Sequence, residues 1–382
     1  MPKLILDIMG GDYAPQACLE GAQQALAELH GELVLIGDEQ VMRTAMARRR
    51  FRSLRSAIEK PSSSRLRVTW VQASETIEME DSIRAIRKKP QASINIGCRL
   101  AAEDWRAWKA GAANASPSAF ISAGHSGAMM ASALLSMGRF PGVERPAIAV
   151  KLPTLSPDGC VVLDVGANVD CKAEHLRDFA VMGSLFAQVE RKNPSLPRVG
   201  VLSNGEERSK GNELTREAAA LIEKLPCFSS DEHPIGDFIG YCEGKEIFKG
   251  QVDCVVSDGF VGNVMLKSVE GVGSAVVSIL KQEAKRNPLT TIGFLLASGV
   301  FRRLKRKLDY AEYGAAPLLG VAGYALICHG RSNGKAIKNA LLRAQSALES
   351  RLVERLEEAL ALALGPQSSP VEVSAPHRAE RS

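Results

Sequence analysis

A chain of 382 residues, 45% hydrophobic and 24% charged, carries enough apolar material for a large buried core, which excludes a chain disordered throughout. Its 48 basic and 43 acidic side chains leave a net charge of +5, too mild to demand a polyanionic partner. Aromatics make up 5% while glycine numbers 33, which argues against an aromatic nucleic-acid platform and for small-residue loops that approach a ligand closely.

The opening MPKLILDIMGGD has neither the basic region nor the long apolar segment of a signal peptide. No stretch reaches the roughly 18 to 20 consecutive apolar residues of a spanning helix, so no bilayer crossing is expected. The eight cysteines form no CxxC pair and no regular spacing. They read as reduced cytosolic thiols rather than a zinc site or a disulfide framework.

In chain order, the β-rich runs LILDIM, ELVLIGD, RVTWVQA, AFISAG, GCVVLDVGA, RVGVLSN and DCVVSDGF each end near Gly, Asp, Ser or Asn. Amphipathic stretches at 17–29, 175–191, 214–224 and 263–281 lie between them and suit crossover helices. The grammar is α/β: a three-layer α/β/α, doubly wound, mostly parallel sheet. One domain is expected over 1–364, with an excursion at 288–308 and a disordered tail at 365–382.

In such sheets ligands bind beyond the carboxyl ends of the strands, and the glycine-rich strings fall there. The first, Asp7 to Pro15, sets Gly10 and Gly11 after a strand, with Asp7 and Asp12 to orient a phosphate or Asp12 to cap a helix. The second, Ser122 to Met130, places Gly124 and Gly127 around His125 and Ser126. AGHSG sets its serine one position late for a nucleophile elbow, so a covalent serine is disfavoured.

The third string, Leu163 to Gly183, carries Asp164, Asn168 and Asp170 ahead of a helix near Ala173. Loop-orienting hydrogen bonds are favoured there over metal ligation, and Lys172 is a possible anion contact. The fourth, Asn204 to Glu213, offers Lys210, Gly211 and Asn212 as a cation and amides before a helix. The fifth, Ser257 to Gly271, ends a strand in Asp258 and Gly259 and sets Asn263 at a helix start, to cap it or to bond a reacting oxygen. The last, from Asp309 through His329, adds small residues with Arg331 and Lys335. His329 reads as structural.

Taken in order from Leu4 to about Ala340, these strings resemble the bacterial phosphate acyltransferases of the PlsX family. The resemblance implies an α/β/α fold related to phosphotransacetylases and isocitrate dehydrogenases, a homodimer, and no metal or other cofactor. It implies transfer of a long-chain fatty acyl group from acyl carrier protein to inorganic phosphate for phospholipid synthesis, with no nucleic acid involved. It also implies that Lys210 and Asn263 are catalytic and that a membrane glycerol-3-phosphate acyltransferase acts downstream. Tyr13 stands where many relatives have His, His125 and Ser126 where many have Asn and Thr, and Tyr241 where Asn is common, so neither His125 nor Ser126 is given a family role.

The chemistry expected is positioning. Phosphate is already anionic at neutral pH, so the protein need only hold it near the thioester and stabilise the oxyanion. At 285–307 there are basic residues, Arg302 and Arg303 among them, and no acidic one. Ile292, Leu295, Leu296, Val300, Leu304 and Leu308 follow near-helical spacing. An apolar stripe bordered by Lys and Arg fits a helix lying in a lipid interface, which the family resemblance favours over a core or dimer helix. Acidic acyl carrier protein is an alternative partner for that surface, and the expected address is cytoplasmic, at the inner face of the cell membrane. The rivals are a coenzyme A thioester enzyme, a metal-dependent dehydrogenase and a non-catalytic scaffold.

Overall fold

A computed structural model describes residues 1–59, 65–229, 234–308 and 314–364, the side chains of 229, 304–308 and 364 excepted. The tail expected to be disordered and the side chains of Leu304 and Leu308 lie outside the described residues. The strands are β1 (Lys3–Asp7), β2 (Gly31–Gly37), β3 (Leu66–Gln72), β4 (Ser118–Ser122), β5 (Ala147–Ile148), β6 (Val150–Leu152), β7 (Cys160–Leu163), β8 (Arg198–Leu202), β9 (Asp237–Cys242), β10 (Cys254–Val256), β11 (Ala315–Leu319) and β12 (Tyr324–Cys328). The helices are α1 (Gln16–Ala25), α2 (Glu39–Met46), α3 (Arg52–Glu59), α4 (Ala85–Lys88), α5 (Ser93–Lys109), α6 (Ser126–Met137), α7 (Ala173–Glu190), α8 (Glu213–Ile222), α9 (Pro226–Ser229), α10 (Gly244–Lys249), α11 (Gly259–Ala284), α12 (Pro288–Leu296), α13 (Ser298–Leu308), α14 (Gly334–Glu349) and α15 (Leu352–Leu364).

The α/β expectation holds, and the sheet divides in two. One sheet runs β3-β2-β1-β4-β12-β11-β5 and the other β6-β7-β10-β8-β9. Neighbours are parallel except at β11–β12, β11–β5 and β6–β7. The segment from β5 to β6 passes from one sheet to the other, and at its turn Ala149 N donates to Pro317 O at 3.1 Å.

Alternation along the central strands explains the layers. Leu4, Leu6, Ile121, Leu163 and Val256 are buried in one apolar cluster, while Ile5, Phe120, Val162 and Val255 are buried in a second. Successive side chains point to opposite faces, so both faces of both sheets need helices over them. Each such aliphatic residue contributes about 1.5–3 kcal/mol on burial.

Helices begin where a short polar residue follows a strand or loop and accepts from the third amide on. Asp38 caps α2, His125 Nδ1 caps α6 through Ala128 N at 3.2 Å, Asn212 caps α8, Asp258 caps α11 and Asn333 caps α14. Two expectations need correcting. Asp12 does not cap α1, whose first residue follows Pro15 without a side-chain cap. Asn263 does not cap α11, because that helix starts earlier, behind Asp258.

Beyond its first turn α11 leaves the body of the protein, with Val264, Val272, Val276 and Ile279 exposed. Among the described residues it is the one helix long and apolar enough to cross a membrane by length and composition, which the count of consecutive apolar residues did not anticipate. The stripe expected as one helix is two, α12 and α13, with the break at Ala297 between Gly293 and Gly299. Glycine weakens helix continuity, and the rings of Phe294 and Phe301 stack across the break at 4.0 Å.

Candidate active site

Two rows of strand ends face each other. At the carboxyl ends of β1, β4 and β12 lie the loops of Asp7, Ser122 and His329, and at those of β7, β10 and β8 lie the loops of Asp164, Ser257 and Ser203. In the first row the loops interlock. Asp7 Oδ2 accepts from Ser122 Oγ at 2.7 Å, Asp7 Oδ1 accepts from Met9 N at 2.9 Å, and Gly124 N donates to Ser122 Oγ at 3.0 Å. A Cβ on Gly10 would sit 2.6 Å from Gly124 N, so only glycine permits that approach. Asp12 N donates to Gly330 O at 2.8 Å, and Asp12 Oδ2 lies 3.9 Å from Arg331 Nε.

In the second row one carboxylate organises the turn. Asp164 Oδ1 accepts from the amides of Ile148, Gly166 and Ala167 at 3.0–3.2 Å, and Oδ2 from Asn168 N at 2.6 Å and Asn168 Nδ2 at 3.0 Å. Asn168 O in turn accepts from Gly259 N at 2.7 Å. A Cβ on Gly262 would collide with the carbonyl oxygen of Asp164. The start of α11 is thereby locked against the loop after β7, and Asn263 packs beside Gly166.

Asp7 and Asp164 are fully buried, and burial raises both carboxyls above the usual range against hydrogen bonds that lower them. With their oxygens spent on internal donors, they shape the loops from behind instead of facing a ligand, and so does Asn168. Asn212 and Asp258 spend a side-chain oxygen on capping. Gly11 and Gly127 are half-buried in the turns of their loops, whereas Gly124 and Gly259 are buried beneath them.

Between the rows is a cavity of about 250 Å³. Ser126, Asn263 and His329 supply polar lining, and Ile148, Val150, Val165, Leu266, Val269 and Ile327 supply apolar walls. Asn263 is therefore brought to the cavity. Lys210 is not among its lining residues. It stands exposed on the loop after β8, with its amide donating to Glu207 O at 2.9 Å. Cys328 borders the cavity, but burial, with nearby Asp7, pushes its thiol up to about 12, so it presents no thiolate.

Sequence reading missed the apolar walls. Asn263, Leu266, Glu270 and Gly273 line the cavity at helical spacing along α11, a periodic signal that was available. The segment from β5 to β6 carries no such signal. Of the expected interfacial residues, Ile292, Leu295, Leu296 and Val300 are exposed, as are Arg302 and Arg303, and none touches the cavity. Among the described residues no group of three His, Cys, Asp or Glu is arranged to hold a metal ion.

The model of a family described as "Fatty acid synthesis protein" matches residues 2–355. A protein named phosphate acyltransferase from Trichlorobacter lovleyi is 42% identical over 359 residues, covering 94% of each chain. Another so named, from Citrifermentans bemidjiense, is 44% identical over 361 residues, covering 93% of each. Among solved structures, a phosphotransacetylase from Streptococcus pyogenes superposes with a TM-score of 0.50 at 16% identity, covering 91% of this chain and 94% of that one, a likeness of fold. The chain belongs to the PlsX family of phosphate acyltransferases, transferases of fatty acid and phospholipid synthesis.

Proposed function

We propose that the chain transfers a long-chain acyl group from the thioester of acyl carrier protein to inorganic phosphate, giving acyl phosphate and free carrier for phospholipid synthesis. The observation that carries this reading is the largely apolar cavity with Asn263 in its wall between two rows of strand-end loops. An acyl chain fits the apolar part and leaves its carbonyl beside the polar groups.

A phosphate oxygen attacks the thioester carbon, a C–O bond forms, the C–S bond breaks, and the carrier thiolate leaves and takes a proton from solvent. Asn263 donates to the oxyanion, Lys210 neutralises phosphate when the loop after β8 approaches, and the half-buried turns at Gly11 and Gly127 supply backbone donors. No step requires a covalent enzyme intermediate.

The same reading sets the enzyme in the cytoplasm, at the inner face of the membrane. The exposed apolar face of α11 would be covered by a second copy, and the α12–α13 hairpin would rest on lipid. A membrane glycerol-3-phosphate acyltransferase would then consume the product. Lys267 and Glu270, on the cavity face of α11, disfavour this helix as a span.

The test is phosphate-dependent release of free carrier from purified acyl carrier protein, with acyl-coenzyme A in a parallel assay. Asn263→Ala should lower kcat by about 10²–10³ with folding intact. No release from the carrier, or wild-type turnover in that variant, refutes the respective part.

A further inference from the structure

The segment 43–55 holds six arginines and no acidic residue. It runs from the end of α2 through a single 3-10 turn at Arg49–Phe51 into α3. Its larger apolar residues point inward, Met46 being 4% exposed and Phe51 and Leu54 fully buried. Arg43 pairs with Glu39 at 2.6 Å, Arg50 with Glu20 at 2.9 Å, and Arg55 donates to Ala47 O at 3.3 Å. Arg48, Arg49 and Arg52 stand exposed, with no carboxylate bound to them among the described residues. Packing holds these like charges together, and an acidic partner would relieve their repulsion.

The turn is linked through Glu20 and α14 to a loop that borders the cavity. Glu20, which holds Arg50, packs against Gly334 at the start of α14. The loop leading into α14 begins at His329, in the cavity lining, and its Gly330 O accepts from Asp12 N.

Its chemistry differs from that of the α12–α13 hairpin. The hairpin presents Leu289, Leu295 and Leu296 to solvent, the apolar area that insertion into a lipid interface requires. The arginine turn exposes no large apolar side chain and no aromatic ring, so it offers nothing to insert into acyl chains and no platform for bases. What remains is a dense, pre-positioned set of guanidiniums, which suits carboxylates on a protein surface.

We propose that the arginine turn at 48–52 is the docking surface for the acidic carrier protein that delivers the thioester. The assignment rests on the carrier reading above and separates the two basic surfaces of the chain: the turn receives the carrier and the hairpin faces lipid. Docking of this kind acts on encounter, so it governs KM and its dependence on salt rather than the chemical step.

The test uses the full chain with Arg48, Arg49 and Arg52 each changed to Glu, and in parallel to Lys. The Glu variant should raise KM for the acyl-carrier thioester at least about tenfold, keep kcat, and lose most of the rise of KM with added sodium chloride. Turnover of a short acyl-pantetheine thioester should be unchanged, which also reports that the variant is folded. The Lys variant should recover most of the loss. Calorimetry of unacylated holo-carrier with wild type and variants checks docking even if no acyl transfer is found, so the two readings fail separately. Unchanged KM together with unchanged holo-carrier binding overturns the proposal. So does a Glu variant that keeps the carrier but loses anionic vesicles or RNA.

Discussion

The strand-end loops and the arm formed by α11, α12 and α13 meet where the loop after β10 runs into α11, and they obey opposite rules. In the loops, Asp7, Asp164 and Asn168 are buried and their polar atoms are spent on neighbours, so one group lost leaves several donors unsatisfied. In the arm, Val272, Ile279, Leu289 and Leu296 are exposed, Leu296 by 84%, and removal of an apolar group there takes nothing from the core. Asn263 sits at the junction: its backbone is held by the loops, and its helix carries the arm. Charge and apolarity are thus paid for inside the body and left open on the arm for something outside it.

The sharpest way to break that contrast is Gly262→Ala. Its Cβ meets the backbone oxygen of Asp164, which cannot move aside, so stability should fall by about 3 kcal/mol, read by denaturant unfolding, with activity falling alongside. A neutral result would mean that the loop and α11 are not locked together.

Next comes Asp164→Asn, expected to cost about 2 kcal/mol, because an amide oxygen cannot replace two carboxylate oxygens that accept from five donors. Burial raises the Asp164 carboxyl above 3.8 in the folded state, so between that value and the raised one the folded chain binds more protons than the unfolded chain. Its contribution is fully present below pH 3.8 and is lost as pH rises through the folded value. The stability gap between wild type and variant, followed by thermal unfolding across acid pH, should therefore narrow as pH rises. A widening gap would reverse the sign of the burial argument.

On the arm the expected changes in stability are smallest, within about 0.5 kcal/mol, and the functional readouts separate instead. On the reading proposed above, Val272→Asp should convert a dimer to monomers in sedimentation, and Leu296→Glu should abolish flotation with anionic vesicles. Either variant unfolding the chain would show that the arm belongs to the core after all.

Much of the body was legible because its signals are local. Apolar runs ending in Gly, Asp or Ser mark β1, β2, β3, β4, β7, β8 and β10, and the four expected helices, α1, α7, α8 and α11, lie within a few residues of expectation. The strands that were passed over are β5, β6, β9, β11 and β12. β5 and β6 are too short for a period, β11 contains Pro317, and β12 is a buried run that reads equally as helix or strand without its neighbours.

The candidate site divides the same way. That glycine and short polar residues cluster beyond strand ends follows from local pattern, since backbone amides are free only there. Which carboxylate faces a ligand and which is buried behind a loop depends on what packs against it, and so Asp7 and Asp164 went from ligand candidates to internal anchors. Asp258 took the cap expected of Asn263 because α11 starts earlier. The cavity, the bridge from β5 to β6 and the exposed arm arise from contacts between segments far apart in the chain, a relation that no local period encodes.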